Sequence, residues 1–212
     1  MKRTSIIVFI CLCYTFSSAQ TIVKDTTKNL ELTKTNFFLP DSVINRRNEL
    51  NQTNATILLA WSAANIIQGS ISAGNIYGSK HYFHKMNSYF NMANLAFAGY
   101  GLYRVHQQRK MHYSLANNVK EQHKISSFLM LNTGLDVAYI TTGLYLQEKG
   151  NHTNDDQSKG YGGSLILQGA FLLVFDIIQY VQHQQNGKLL NQYLGNLQLT
   201  TTSTGVGLVV PL

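Results

Sequence analysis

Polar and apolar residues follow one another along this chain in long blocks. Four stretches, roughly 55–74, 87–103, 126–146 and 162–183, are mostly apolar, and each carries a polar residue near its middle. The most apolar reads LILQGAFLLVFDIIQYV from Leu165 to Val181, with no Lys, Arg, His or Pro and a single acid, Asp176. With its flanks, at about 1.5 Å per residue, it is long enough as a helix to cross a hydrocarbon core of roughly 30 Å. Pro40-Asp41-Ser42 marks a helix start, with Asp41 or Ser42 as the cap, and the helix that follows runs to about Gly74. The second stretch, Asn87–Tyr103, is the least hydropathic of the four. The third, Ser126–Leu146, is divided from the fourth by a loop rich in Asn, Asp and Gly over Glu148–Ser158. The pattern predicts an all-α protein, a four-helix transmembrane bundle.

The ends read differently. Met1–Gln20 has a basic start, an apolar centre from Ile6 to Phe16 and small residues up to Ala19, the layout of a secretory signal cleaved after Ala19. Residues 20–53 form an exposed N-terminal arm and the helix start, 54–184 the membrane domain, and 185–212 a C-terminal tail. In the tail, β-rich runs at about Leu197–Thr201 and Val206–Val210 flank Ser203-Thr204-Gly205 and predict a hairpin. A lone hairpin is marginal in water, so this one needs a surface to pack on.

Composition narrows the function classes. Only 13% of residues are charged, about half the share in an average soluble domain. The formal net charge of +7 includes Lys2 and Arg3, which would leave with a signal peptide. Arg104, Arg109, Lys110, Lys120 and Lys124 sit between two apolar stretches, where they read as membrane flanks and not as a nucleic-acid patch. The mean hydropathy of -0.09 averages polar ends with apolar middles. Cys11 and Cys13 both lie in the predicted signal, so the mature chain has no cysteine for disulfide exchange, thiolate catalysis or zinc. Orientation is in tension: a cleaved signal places the mature N-terminus outside and the basic loop with it, against the positive-inside tendency.

On a helix, residues three, four and seven apart share a face. That rule groups Asn65 with Gln68, then Asn87 with Asn91 and Asn94, Asn132 with Asp136, and Asp176 with Gln179 and His183. Polar groups facing lipid are costly, so these stripes should turn inward and meet at similar depth. The candidate buried polar or ion site is Asn65, Asn94, Asn132, Asp136, Gln168 and Asp176. Gly134, Ala138 and Thr142 recur every four positions and predict a close helix approach. Neither acid has a Lys or Arg in its own stretch or in the other's. Such a carboxylate holds a proton, shares one, or binds a cation; it serves either as an ion site or as neutral glue between helices.

Seven histidines offer a rival chemistry, haem or metal held between helices, but their spacing is irregular and they read as solvated groups at the membrane interface. Gly160-Tyr-Gly-Gly163 has no Walker lysine and no preceding strand, so it reads as a flexible loop or the first turn of a helix. Trp61, Tyr100, Tyr103, Tyr139 and Tyr145 read as core or interface aromatics. No catalytic residue and no cofactor is indicated.

Three runs together carry a resemblance: Phe83-His-Lys-Met-Asn87, Asn132-Thr-Gly-Leu-Asp136-Val-Ala-Tyr139, and Gly160-Tyr-Gly-Gly-Ser-Leu-Ile-Leu-Gln168-Gly-Ala-Phe. They resemble an uncharacterised family of predicted membrane proteins from Bacteroidota, over about Leu58 to Tyr180. The resemblance implies four membrane helices and a signal peptide, and brings no activity, substrate or cofactor. The leading expectation is a non-enzymatic, multi-pass protein of the cell envelope, in the bacterial inner membrane with its N-terminus outside. Its partners would be the lipid bilayer and an envelope protein or a second copy, and not nucleic acid. The alternatives are a small proton- or cation-coupled transporter or channel using Asp136 and Asp176, and a histidine-ligated haem or metal protein.

Overall fold

A computed structural model describes residues 41–111, 114–195, 198–202 and 205–209. The predicted signal and the arm up to residue 40 lie outside them. Four helices follow in order: α1 (Asp41–Asn75), α2 (Ser79–Gln108), α3 (Leu115–Thr153) and α4 (Asp156–Gly195). The tail adds β1 (Gln198–Thr202) and β2 (Gly205–Val209), an antiparallel pair with Gln198 opposite Val209 and Thr202 opposite Gly205. The protein is all-α apart from this hairpin.

Every helix outruns its apolar stretch. At 1.5 Å per residue they are about 45 to 60 Å long. The expected loop over Glu148–Ser158 shrinks to Asn154 and Asp155, because the local chemistry both stops one helix and starts the next. Asn154 adopts a left-handed conformation (φ 53°) that closes α3, with its N–H returning to the Gly150 carbonyl. Asp155 then caps α4: Oδ1 accepts from the Gln157 N–H at 3.0 Å, and Oδ2 from the Ser158 hydroxyl at 2.7 Å. The Ser158 hydroxyl, with help from the Gln157 and Ser158 N–H groups and Lys149, holds the Asp155 carboxyl below its ordinary range. Between α1 and α2 the chain reverses at Gly78, whose φ of 69° and ψ of -151° suit only glycine. Ser114 caps α3 by accepting from the Asn117 N–H.

The helices run up and down. α1 packs along α2 and α3 along α4, while α2 and α4 meet at the centre and α1 touches α4 more lightly. α2 and α3, although consecutive, hardly touch. The α3/α4 pairing is set by glycines facing backbone. A Cβ on Gly162 would lie 2.5 Å from the Gly143 carbonyl oxygen and 2.6 Å from the Gln147 nitrogen. A Cβ on Gly169 would lie 2.9 Å from Ile140. Gly160 meets Ser79 and Phe83 of α2 just as tightly. The Gly160–Gly163 run is therefore neither a loop nor a free first turn; it is packed helix whose missing side chains let α4 lie against both neighbours. The expected small-residue stripe is corrected too. Gly134, Ala138 and Thr142 face outward, and the close contacts of α3 use Asp136, Ile140, Gly143, Gln147 and Gly150 instead.

What the bundle buries is unusual. Among the described residues, buried apolar side chains cluster only in small groups, one around Val43 and Leu190 and one around Phe90, Leu165 and Leu172, with Leu50, Ala98, Val105 and Leu129 buried outside them. The most deeply buried large side chains are polar: His183, Gln168, Asn87, Asn91 and Asn118. Large apolar side chains point outward, among them Ile67, Phe97, Met130 and Val174, each 59–68% exposed. A helix-by-helix count of long apolar stretches finds two of the four expected spans: among the described residues, α1 and α4 are long and apolar enough to cross a membrane.

Candidate functional site

Each helix turns one polar face inward. On α4 the buried positions Ser164, Gln168, Leu172, Asp176, His183, Asn186 and Leu190 fall three, four or seven apart. On α2 they are Asn87, Asn91, Asn94, Ala98, Val105 and Gln108. Because α2 and α4 run in the same direction, their pairing at Asn87 and Gln168 fixes the depth of everything else.

That pairing lies in a layer of amides. Trp61 Nε1 donates to Gln168 Oε1 at 3.1 Å, Gln168 Nε2 donates to Asn87 Oδ1, and Asn87 Nδ2 donates to Asn65 Oδ1 at 2.8 Å. Asn65 Nδ2 ends the chain on the Trp61 carbonyl at 2.8 Å. The ring closes on itself across α1, α2 and α4, and every member both gives and receives. Trp61 stacks flat on Phe171, with centroids 3.7 Å apart, which holds the indole N–H toward Gln168.

Seven residues further along α2 and eight further along α4, the second level differs. Asp176 accepts from Gln179 Nε2 at 3.0 Å and from the Asn132 side chain. Asp136 is 2% exposed and lies near enough to Asp176 to repel it when both are ionised. Its Oδ2 has no hydrogen-bond partner, and neither have Asn91 Oδ1 and Asn94 Nδ2, also buried. The register places Asn94 at the depth of Asp176. This level has the oxygen atoms for a proton or a small cation and no fixed positive charge on its own stretches to answer them.

A third polar level closes the end where α1 and α3 begin. Arg47 donates to Asn118 Oδ1 at 2.8 Å and to its carbonyl at 3.2 Å. Gln122 Nε2 donates to the His183 carbonyl at 2.6 Å, and Asn186 Nδ2 reaches the Val43 carbonyl at 3.3 Å.

The six sequence candidates thus divide. Asn65 and Gln168 belong to the amide layer; Asn132, Asp136, Asp176 and, by register, Asn94 belong to the carboxylate level. Gln68, grouped with Asn65 by spacing, faces outward toward Ser72. The expectation of solvated histidines fails at His183, which is 1% exposed because it continues the Asp176–Gln179 face. Trp61 is a hydrogen-bond donor as well as a core aromatic. Arg47, Asn118, Gln122 and Asn186 had a usable signal: each extends an inward face by steps of three or four beyond the apolar stretch. Among the described residues no three His, Cys, Asp or Glu side chains gather to hold a metal ion.

No curated protein and no solved structure matches the chain significantly. A family profile does match residues 57–177, from the middle of α1 through the carboxylate level of α4. Both the amide layer and the two acids fall inside that span, and the chain belongs to the family of unknown function DUF6992.

Proposed function

We propose that this is a multi-pass membrane protein of the cell envelope, non-enzymatic, whose four helices are held by buried polar layers and whose arm and tail face the periplasm to meet a protein partner or a second copy. The inversion of polarity carries this reading. A bundle in water buries its apolar side chains; this one buries Gln168, Asn87, Asn91 and Asp136 and turns Ile67, Phe97, Met130 and Val174 outward. Lipid rewards that arrangement, since internal hydrogen bonds are the only ones its interior offers. The apolar windows of α1 and α4 are just 11% and 28% buried, unlike the core helix of a water-soluble fold. α2 and α3 cross with them in this reading.

The test is fractionation with reporter fusions after Ala19, in the loop between α2 and α3, and at Leu212. Extraction by detergent alone, with the reporter periplasmic at all three points, is expected with the N-terminus outside in the inner membrane. Release into a soluble periplasmic fraction would overturn the reading.

A second reading rests on the unpartnered atoms of Asp136, Asn91 and Asn94: a proton or cation site used in transport. Loss of ion flux in Asp136→Asn or Asp176→Asn proteoliposomes, with folding intact, supports it. Wild-type flux in both variants makes the acids structural.

A further inference from the structure

α2 and α3 are joined by a short connection yet part from each other, and the space between them is a cleft of about 550 Å³. From α2 it is lined by Tyr100, Tyr103, Arg104, Gln107 and Gln108, from the connection by Met111, and from α3 by Glu121 and Lys124. The α2 residues fall three or four apart, so they form one continuous face. Arg104 lies 3.9 Å from Glu121, at the outer limit of an ion pair, and its side chain is 41% exposed. Gln108 Nε2 reaches the same carboxylate at 3.5 Å. The two cations and one acid leave the cleft net positive.

Followed toward the middle of the bundle, both walls turn apolar. On α2 the step from Tyr100 leads to Phe97, and on α3 the step from Lys124 leads to Phe128 and Leu131, all three exposed. A basic head with tyrosines beside it, opening onto two exposed apolar stripes, has the polarity of a single phospholipid. We infer that the cleft between α2 and α3 is a binding site for an anionic phospholipid, its phosphate held by Arg104 and Lys124 and its acyl chains laid along Phe97, Phe128 and Leu131. The lipid fills the seam that the protein leaves open. This rests on the membrane reading above.

The experiment is native mass spectrometry of the full chain in detergent with equal amounts of phosphatidylglycerol and phosphatidylcholine. The wild type is expected to retain phosphatidylglycerol preferentially, and Arg104→Ala/Lys124→Ala to lose about 30-fold of that preference. Lys110→Ala/Lys120→Ala removes as much charge outside the cleft and is expected to keep it. Equal loss in both double variants, or no preference in the wild type, overturns the site. Displacement by inorganic phosphate assigns the cleft to a free anion and overturns the lipid. Flotation with phosphatidylcholine vesicles separates the two readings. A chain that floats without a lipid preference sinks the site alone; one that does not float sinks the membrane reading and the site with it.

Discussion

The amide layer and the carboxylate level sit seven and eight residues apart on α2 and α4 and are built to different standards. In the first, Trp61, Gln168, Asn87 and Asn65 form a closed circuit of donors and acceptors. In the second, Asp136, Asn91 and Asn94 bury polar atoms that nothing among the described residues answers. A satisfied buried network fixes the relative positions of the elements that share it, whereas an unsatisfied one costs stability unless something else binds there. The contrast suits the first to architecture and, on the second reading proposed above, the second to a proton or an ion.

The largest expected effect destroys both levels together. Gly162→Leu forces a branched side chain onto the Gly143 carbonyl and the Gln147 backbone, at a cost of about 3 kcal/mol or more. Thermal unfolding in detergent, followed by circular dichroism, should show little folded protein.

Gln168→Leu breaks the first level only. It strands Trp61 Nε1 and Asn87 Oδ1 and should cost about 2–3 kcal/mol by the same measurement.

Asp136→Asn is the sharpening test, and should leave stability within about 1 kcal/mol of wild type, because no hydrogen bond to Oδ2 is lost and a like-charge contact is removed. A cost equal to that of Gln168→Leu would mean both levels are structural and would erase the contrast.

The smallest effect lies outside both levels, at Asp155. Its carboxyl ionises below the usual range when folded, so its contribution is present above the unfolded pKa and is lost as pH falls through the lower, folded one. The wild type should lose thermal stability below about pH 4. Asp155→Asn, which still caps the helix without titrating, should lack that component.

Much of this was legible because a helix repeats its faces. Asn87, Asn91 and Asn94 stand on one side of any helix, and Asp176 and His183 follow from the same arithmetic. What escaped depended on partners. Gly134, Ala138 and Thr142 are as regularly spaced as Asp136, Ile140 and Gly143, and only the position of α4 decides which row is the contact. Gly160–Gly163 looks like a flexible segment until Gly143 and Ser79 are brought against it. Arg47 and Asn186 lie beyond the apolar stretches, where hydropathy alone gives no reason to look for a buried face. The division of the candidate residues into two levels needed the register between α2 and α4, which no single segment contains.

If the chain is the membrane protein proposed above, the connection of Asn154 and Asp155 between helices of 39 and 40 residues also bears on how it enters a bilayer. Two residues leave no room for α3 to be released alone while α4 waits in water. On the membrane reading proposed above, the pair inserts as a single hairpin, already zipped along its glycines. Asp136 and Asp176 would each be an expensive passenger on a solitary helix. Travelling face to face, they are hidden from acyl chains before the first half of the protein has to receive them.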